Sequence, residues 1–250
     1  MSAVITCRGV SKGYSSGRSL GIKELLVGRH RRNRGGRFSR EWALRDVSFS
    51  VEPGLAFGVI GSNGSGKSTL LGLLLGTLRP DTGSVSVAGR IASLLSLGAG
   101  FHPELTGREN VVLYASILGM RLRDIRARFD EIVEFSELLD AIDNPLRTYS
   151  SGMITRLGFS TITHVDADVL LIDEVLAVGD LDFQAKCRRY LEDFKKRGTL
   201  VIVSHDLETL PHFCDEGLWL DRGLVAHSGR IENVIARYRE SVRPTASTDA

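Results

Sequence analysis

The chain has 250 residues, 42% hydrophobic and 25% charged, with a formal net charge of +2. That size and balance suit one soluble globular domain, or one domain with two lobes, and a sizeable core. The near-neutral charge excludes any global pointer to nucleic acid, although arginines crowd the stretch from Arg29 through Arg31, Arg32, Arg34 and Arg37 to Arg40.

Cys7, Cys187 and Cys214 show neither CxxC nor zinc spacing, so they read as free thiols in a reducing compartment. The start MSAVITCRGV has no signal-peptide pattern, and no apolar run approaches the roughly 20 residues that span a bilayer. The expectation is a cytosolic protein with at most peripheral membrane contact.

Segment 3–10 is the first strand candidate. Segment 15–41, rich in Gly, Ser and Arg, interrupts the opening, and Leu20, Ile22, Leu25 and Leu26 within it suggest a short helix. Alternation resumes at Ala43–Val51, the turn Glu52-Pro53-Gly54 follows, and Leu55–Ile60 reads as a buried strand. A glycine-rich loop, Gly61–Thr69, leads into a helix over Leu70–Leu78 that Arg79–Gly83 ends. Val85, Val87 and Ile91 mark further strand. From Pro103 to about His164 the apolar period is mostly helical. Then come a strand at Val169–Ile172, a helix at Ala185–Lys196 and a strand at Leu200–Val203. A hairpin turns at Asp221-Arg222-Gly223, and a last helix covers Ile231–Glu240. The small polar tail, about 241–250, reads as flexible. Short apolar strands alternating with helices predict an α/β fold with a parallel sheet, and the stretch 103–164 reads as an inserted helical lobe.

GSNGSGKST, comprising Gly61, Ser62, Asn63, Gly64, Ser65, Gly66, Lys67, Ser68 and Thr69, matches the phosphate loop G-x-x-x-x-G-K-[ST]. Glycines let backbone N–H groups converge on phosphate oxygens, and the following helix offers its positive end. Lys67 reaches the β- and γ-phosphates, and the Ser68 hydroxyl ligates Mg²⁺. By itself the motif says nucleotide phosphate, without saying which machine.

Val169–Ile172 runs into Asp173 and Glu174, two acids at a strand end, where ligands of parallel sheets sit. Asp173 suits Mg²⁺, and Glu174 suits polarising the attacking water. Leu200–Val203 ends in Ser204 and His205, and the histidine is placed to sense the γ-phosphate.

These pieces in this order resemble an ABC-type (ATP-binding cassette) nucleotide-binding subunit over nearly the whole chain. The discriminating element is Tyr149-Ser150-Ser151-Gly152-Met153, which stands where that family carries an LSGGQ-like signature. Ser150 matches the motif serine and Gly152 its second glycine; Ser151 and Met153 depart from it. Leu97–Asn110, YSSGM and the run DEVLAVGD at Asp173–Asp180 resemble, more narrowly, the ATPase subunits of polysaccharide exporters, which serve O-antigen, teichoic acid, capsule and galactan.

The resemblance implies a P-loop NTPase fold with a β-rich N-terminal lobe, with residues 1–240 forming one ATP-binding domain. ATP and Mg²⁺ would be sandwiched in a homodimer beneath an ABC-2-type permease that handles a lipid-linked glycan, at the cytoplasmic face of the inner membrane. In that arrangement Lys67, Ser68, Asp173, Glu174 and His205 act from one subunit, and Ser150 and Gly152 from the other. Asp180 is the D-loop carboxylate that couples the two sites, and Leu97–Asn110 faces the permease. Tyr14 stacks on adenine, with Trp42 as the alternative. The glutamine usual before the permease-facing loop is missing; Leu95-Ser96-Leu97 stands there, and Gln184 is the chain's lone glutamine. The chain is also too short to carry the C-terminal carbohydrate-binding domain of some O-antigen exporters.

Two other readings use the same residues. A soluble ABC ATPase acting on nucleic acid or ribosomes would carry long coiled coils or tandem cassettes, which are not seen here. Against a regulatory module with negligible hydrolysis stands Glu174, while the missing glutamine leaves that reading open. The arginine stretch suits anionic headgroups, the permease or plain solvation; with Phe38 its only aromatic, it does not suit nucleic acid.

Overall fold

The computed structural model describes residues 3–15, 40–94, 100–173 and 179–242. The short helix expected around Leu20–Leu26, the arginine stretch apart from Arg40, the missing-glutamine position, Glu174 and the tail beyond Val242 lie outside those residues.

The strands are β1 (Ile5–Ser15), β2 (Arg40–Val51), β3 (Ala56–Ile60), β4 (Thr82–Val87), β5 (Ile91–Ser93), β6 (Val169–Asp173), β7 (Thr199–Val203), β8 (Glu216–Asp221) and β9 (Leu224–Arg230). The helices are α1 (Lys67–Leu74), α2 (Gly107–Ile117), α3 (Leu122–Ser136), α4 (Ser151–Thr163), α5 (Leu181–Lys195), α6 (Leu210–Phe213) and α7 (Ile231–Val242).

A three-stranded antiparallel sheet, ordered β2-β1-β4, lies over a six-stranded sheet ordered β5-β6-β7-β3-β8-β9. The inner strands of the larger sheet are parallel, and only β9 runs against its neighbour. Period-2 alternation assigns the two faces. Phe57, Val59, Val169, Leu171, Val201 and Val203 pack towards the small sheet and α1. Ala56, Ile60, Leu170, Ile172, Leu200 and Ile202 pack towards the helices on the other side, with Phe159, Phe183, Phe194 and Ile231. Burial on both faces explains why β3 and β7 read as unbroken apolar runs.

The stretch 107–163 holds α2, α3, two short 3₁₀ turns and α4. It builds its own cluster around Val111, Ile132, Ile142, Leu146 and Leu157. Helix α2 opens with a reciprocal capping box between Thr106 and Glu109.

The structure shifts several element boundaries. Strand β1 runs on to Ser15 because β2 pairs with it along its length, Tyr14 opposite Glu41 and Gly13 opposite Trp42. Helix α1 starts at Lys67 rather than Leu70 and stops at Leu74, where Gly76 turns the chain with φ of 74°. Lys67, Ser68 and Thr69 are therefore already helical. Thr82 and Gly83, expected to end that helix, belong to β4 and pair against β1. Helix α5 begins at Leu181, one turn before the expected Ala185, because Asp180 caps it. The hairpin falls at the expected place, with Arg222 and Gly223 both at positive φ.

Candidate functional site: a phosphate-loop cleft

Parallel pairing brings the carboxyl ends of β3, β7 and β6 to one edge of the sheet, with Val59 and Asp173 both in register with Val203. The glycine-rich loop leaves that edge from β3. A cleft of about 450 Å³ opens there, lined by Tyr14, Glu41, Trp42 and Ala43 from the small sheet. Its floor is Asn63, Gly64, Gly66, Lys67, Ser68 and Thr69, with Asp173 at one side. Phosphate-loop residues and the β6 carboxylate, far apart in sequence, thus share one concavity at the N-terminus of α1, where backbone N–H groups favour anions.

The loop is braced from outside. Gly66 is left-handed, with φ of 107°, and a Cβ there would lie 2.4 Å from the Ala43 carbonyl oxygen. Only glycine lets β2 cross so close. The Gly223 N–H donates to Ser65 O (3.0 Å), and the Arg45 N–H donates to Gly223 O (2.8 Å). The β8–β9 turn therefore joins the loop to β2. The Lys67 Nζ donates to Gly61 O (2.7 Å) and Ser62 O (3.0 Å), folding its ammonium back over the loop. The Ser65 hydroxyl is buried without a hydrogen-bond partner among the described residues.

Tyr14 stands at the mouth of the cleft, 45% exposed, its Oη 3.5 Å from Thr69 Oγ1. Trp42 lies under the Arg40 guanidinium, 4.6 Å from the ring centroid, and Arg40 also pairs with Asp81. Both rings have a cation near one face, Arg40 close on Trp42 and Lys12 more distant over Tyr14 (5.9 Å), and Tyr14 keeps a large exposed area. Asp81 accepts from the Gly13 N–H (2.7 Å), and this bond, followed by Arg40, holds its carboxyl below the usual carboxylate range.

His205 follows β7 as an exposed residue, after Ser204, and does not line the cleft. Ser150 is the N-cap of α4, its Oγ accepting from the Met153 N–H (3.2 Å), and Gly152 follows in the first turn. Neither lines the cleft, so this chain alone does not bring them to Lys67. Asp180 caps α5, its Oδ1 accepting from the Phe183 N–H (3.0 Å); that bond first, then Arg156, lowers its pKa. Among the described residues no group of three or more His, Cys, Asp or Glu side chains is arranged to hold a metal, and no helix is long and apolar enough to cross a membrane.

Sequence reasoning missed Glu41 and Ala43, which enter the lining only through the pairing of β2 with β1. It also missed the fully buried Asn110, which organises the loop before α2. The Asn110 Nδ2 donates to the carbonyls of His102, Leu105 and Thr106, and Oδ1 accepts from the His102 N–H. A polar residue at an apolar position of α2 was the available signal.

Fold and cleft define a P-loop nucleotide-binding domain. Residues 44–177 match the ABC transporter family model. The O-antigen export system ATP-binding protein RfbB of Klebsiella pneumoniae is 46% identical over 97% of this chain and 100% of its own length. The protein of the same name from Myxococcus xanthus is 50% identical over 84% of this chain, which spans 49% of it. The teichoic acids export ATP-binding protein TagH of Lactococcus lactis is 43% identical over 81% of this chain, which spans 43% of it. Among solved structures, an ATP-binding subunit of an ABC transporter superposes with a TM-score of 0.75 at 20% identity, covering 94% of this chain and 93% of its own. A dimeric post-hydrolysis cassette, MJ0796 bound to ADP and Pi, gives 0.72 at 20% identity over 91% of this chain and 98% of its own. At that identity the superpositions establish the fold.

The chain belongs to the ABC transporter family. It is an ATP-binding, ATPase-type transport subunit.

Proposed function

We propose that this chain is the ATP-hydrolysing subunit of an exporter that moves a lipid-linked polysaccharide across the cytoplasmic membrane. The observation that carries the reading is the similarity to the Klebsiella pneumoniae O-antigen export protein from end to end of that protein. The names of the relatives lend no support to the nucleic-acid or ribosome reading. The subunit would act as a homodimer, bound peripherally to an ABC-2-type permease at the cytoplasmic face. Residues 1–240 would form one domain with 103–164 as its helical lobe; the basic insertion expected over 15–41 narrows to 16–39, since Ser15, Arg40 and Glu41 pair in the small sheet, and the last helix runs past 240 to Val242.

Tyr14, Lys67, Ser68 and Asp173 take their roles from the cleft they line, and Glu174, His205, Ser150 and Gly152 take theirs from the family resemblance. Lys67 exchanges the carbonyls of Gly61 and Ser62 for the β- and γ-phosphates of ATP, and the loop amides from Gly61 to Thr69 hold the remaining oxygens. Tyr14 stacks on adenine, since its ring stands 45% exposed at the cleft mouth with Lys12 only at 5.9 Å, whereas Arg40 lies at 4.6 Å on Trp42. The Ser68 hydroxyl and the Asp173 carboxylate, both oxygen donors on this cleft, suit Mg²⁺, which supplies charge neutralisation of the phosphates when bound. Glu174 orients and deprotonates the attacking water, and His205 contacts the γ-phosphate. Ser150 and Gly152 of the second subunit close the site from the start of α4.

The test is Glu174→Gln, which keeps ATP binding and removes the base. With Mg·ATP the variant is expected to elute as a dimer and to turn ATP over at least about 100-fold more slowly than wild type. Turnover near the wild-type rate sinks the assigned role. Export is tested in the native host: Lys67→Ala should block appearance of the surface polysaccharide, and unchanged surface polysaccharide overturns the export reading.

A further inference from the structure

Arg156 is one residue that the family motifs and the cleft leave without a role. It lies on α4, about 9 Å along the helix from Ser150 at 1.5 Å per residue. Its side chain is only 16% exposed and makes three contacts at once. One guanidinium nitrogen donates to Asp180 Oδ2 (2.5 Å), and the other donates to Glu137 Oε2 (3.0 Å). The guanidinium also lies 4.9 Å from the Phe183 ring centroid. A planar fork pinned by two carboxylates and a ring has little freedom, unlike a lysine ammonium on a flexible stem.

The partners come from different elements. Glu137 caps the end of α3 in a left-handed conformation, with φ of 58°, and also accepts from Lys186 of α5 (3.3 Å). Asp180 caps the start of α5 through the Phe183 N–H. Gly179, with φ of 71°, has so little room that a Cβ would lie 3.1 Å from Arg156 Nε. The Gln184 Nε2 donates to Gly179 O (3.2 Å).

We propose that Arg156 is a positioning residue that locks the helix carrying Ser150 and Gly152 to the Asp180 end of α5, so that the elements this chain offers to a second subunit's ATP move as one unit. The inference rests on the site roles proposed above. Asp180 needs a fixed orientation to reach across to a second subunit, and the Arg156–Asp180 contact supplies it from within the same chain. Arg156 does not line the cleft, so it acts on turnover and not on capture of ATP by Lys67.

The test compares Arg156→Gln, Arg156→Lys, Asp180→Asn and the double variant Arg156→Gln/Asp180→Asn with wild type, by amide exchange over residues 179–184 without nucleotide, by ATP affinity and by turnover. In Arg156→Gln, exchange over 179–184 should rise, ATP affinity should stay within about 2-fold, and kcat should fall about 10-fold. Arg156→Lys should recover little, because one ammonium cannot replace the fork. The double variant should be no slower than the slower single variant.

Glu137→Gln separates positioning from bulk stability, since it removes the other carboxylate and leaves the Asp180 contact. It should lower the unfolding midpoint yet keep kcat. The proposal is overturned by unchanged kcat or unchanged exchange in Arg156→Gln, by losses that multiply in the double variant, or by Glu137→Gln slowing turnover as much as Arg156→Gln does. A wild-type chain without ATP turnover defeats the site reading instead, and the exchange arm still decides whether Arg156 holds Asp180.

Discussion

Gly58 of β3 and Gly217 of β8 sit directly opposite each other under α7, and Ile231 packs on both. A Cβ at Gly58 would lie 2.8 Å from Ile231 Cδ1 and otherwise no closer than 3.4 Å, to Cys214 Sγ. A Cβ at Gly217 would lie 2.7 Å from the same Cδ1 but also 2.5 Å from the Gly58 carbonyl oxygen. The first clash is with the tip of one side chain; the second is with backbone held in the sheet.

Gly58→Ala should therefore destabilise by about 1 kcal/mol, an overpacking term of about 2 kcal/mol reduced by the unfolded-state entropy that alanine removes. Ile231→Val deletes the clashing methyl and should cost about 1 kcal/mol as a cavity. Together the added methyl fills the deleted one's place, so the double variant should lose under about 0.5 kcal/mol instead of the additive sum of about 2 kcal/mol. Gly217→Ala should cost about 3 kcal/mol or more, and Ile231→Val should not rescue it, because the Gly58 carbonyl stays where it is.

Urea unfolding followed through the emission of Trp219, which β8 carries beside Tyr238, reads these differences. Each kcal/mol moves the midpoint by about 0.3–0.5 M. Additive losses in Gly58→Ala/Ile231→Val, or equal rescue of both alanine variants, refute the packing argument.

Mg·ATP at about 100 times its Kd should stabilise the wild type by about 2.7 kcal/mol, roughly 5–10 °C in melting temperature, and Lys67→Ala should abolish the shift. A full shift in that variant would remove Lys67 from the phosphate site. The Asp81 carboxyl, held below its ordinary range by the Gly13 N–H and Arg40, contributes stability that is present above the unfolded value of about 4 and lost as pH falls through the folded value. Asp81→Asn should thus be less stable than wild type at neutral pH, with the two urea midpoints converging at low pH; a gap that persists at the acid end contradicts the linkage. Burial pushes the thiols of Cys7, Cys187 and Cys214 up to about 12, so a thiol reagent at pH 8 should label none of them in the native protein and all three in urea. Rapid native labelling of any one would show that its element opens.

Local chemistry made much of this protein legible in one dimension. The phosphate loop is contiguous because one backbone turn must wrap one anion, so Gly61–Thr69 announces itself. The unbroken apolar runs of β3, β6 and β7 announce a sheet covered on both faces, and the capping serine and glycine around α4 mark its start. Boundaries were less legible: α1 begins at Lys67 because Gly66 takes a left-handed turn beneath the Ala43 carbonyl, a contact between residues remote in sequence. Only the tertiary structure decided that Glu41 and Ala43 enter the cleft beside Trp42, since the antiparallel register of β2 on β1 carries them there. Only it revealed that Arg156 bridges α3, α4 and α5, and that the β8–β9 turn braces the loop. These contacts depend on which strands and helices become neighbours, a choice made by burial of both faces of a sheet and not by any short run of residues.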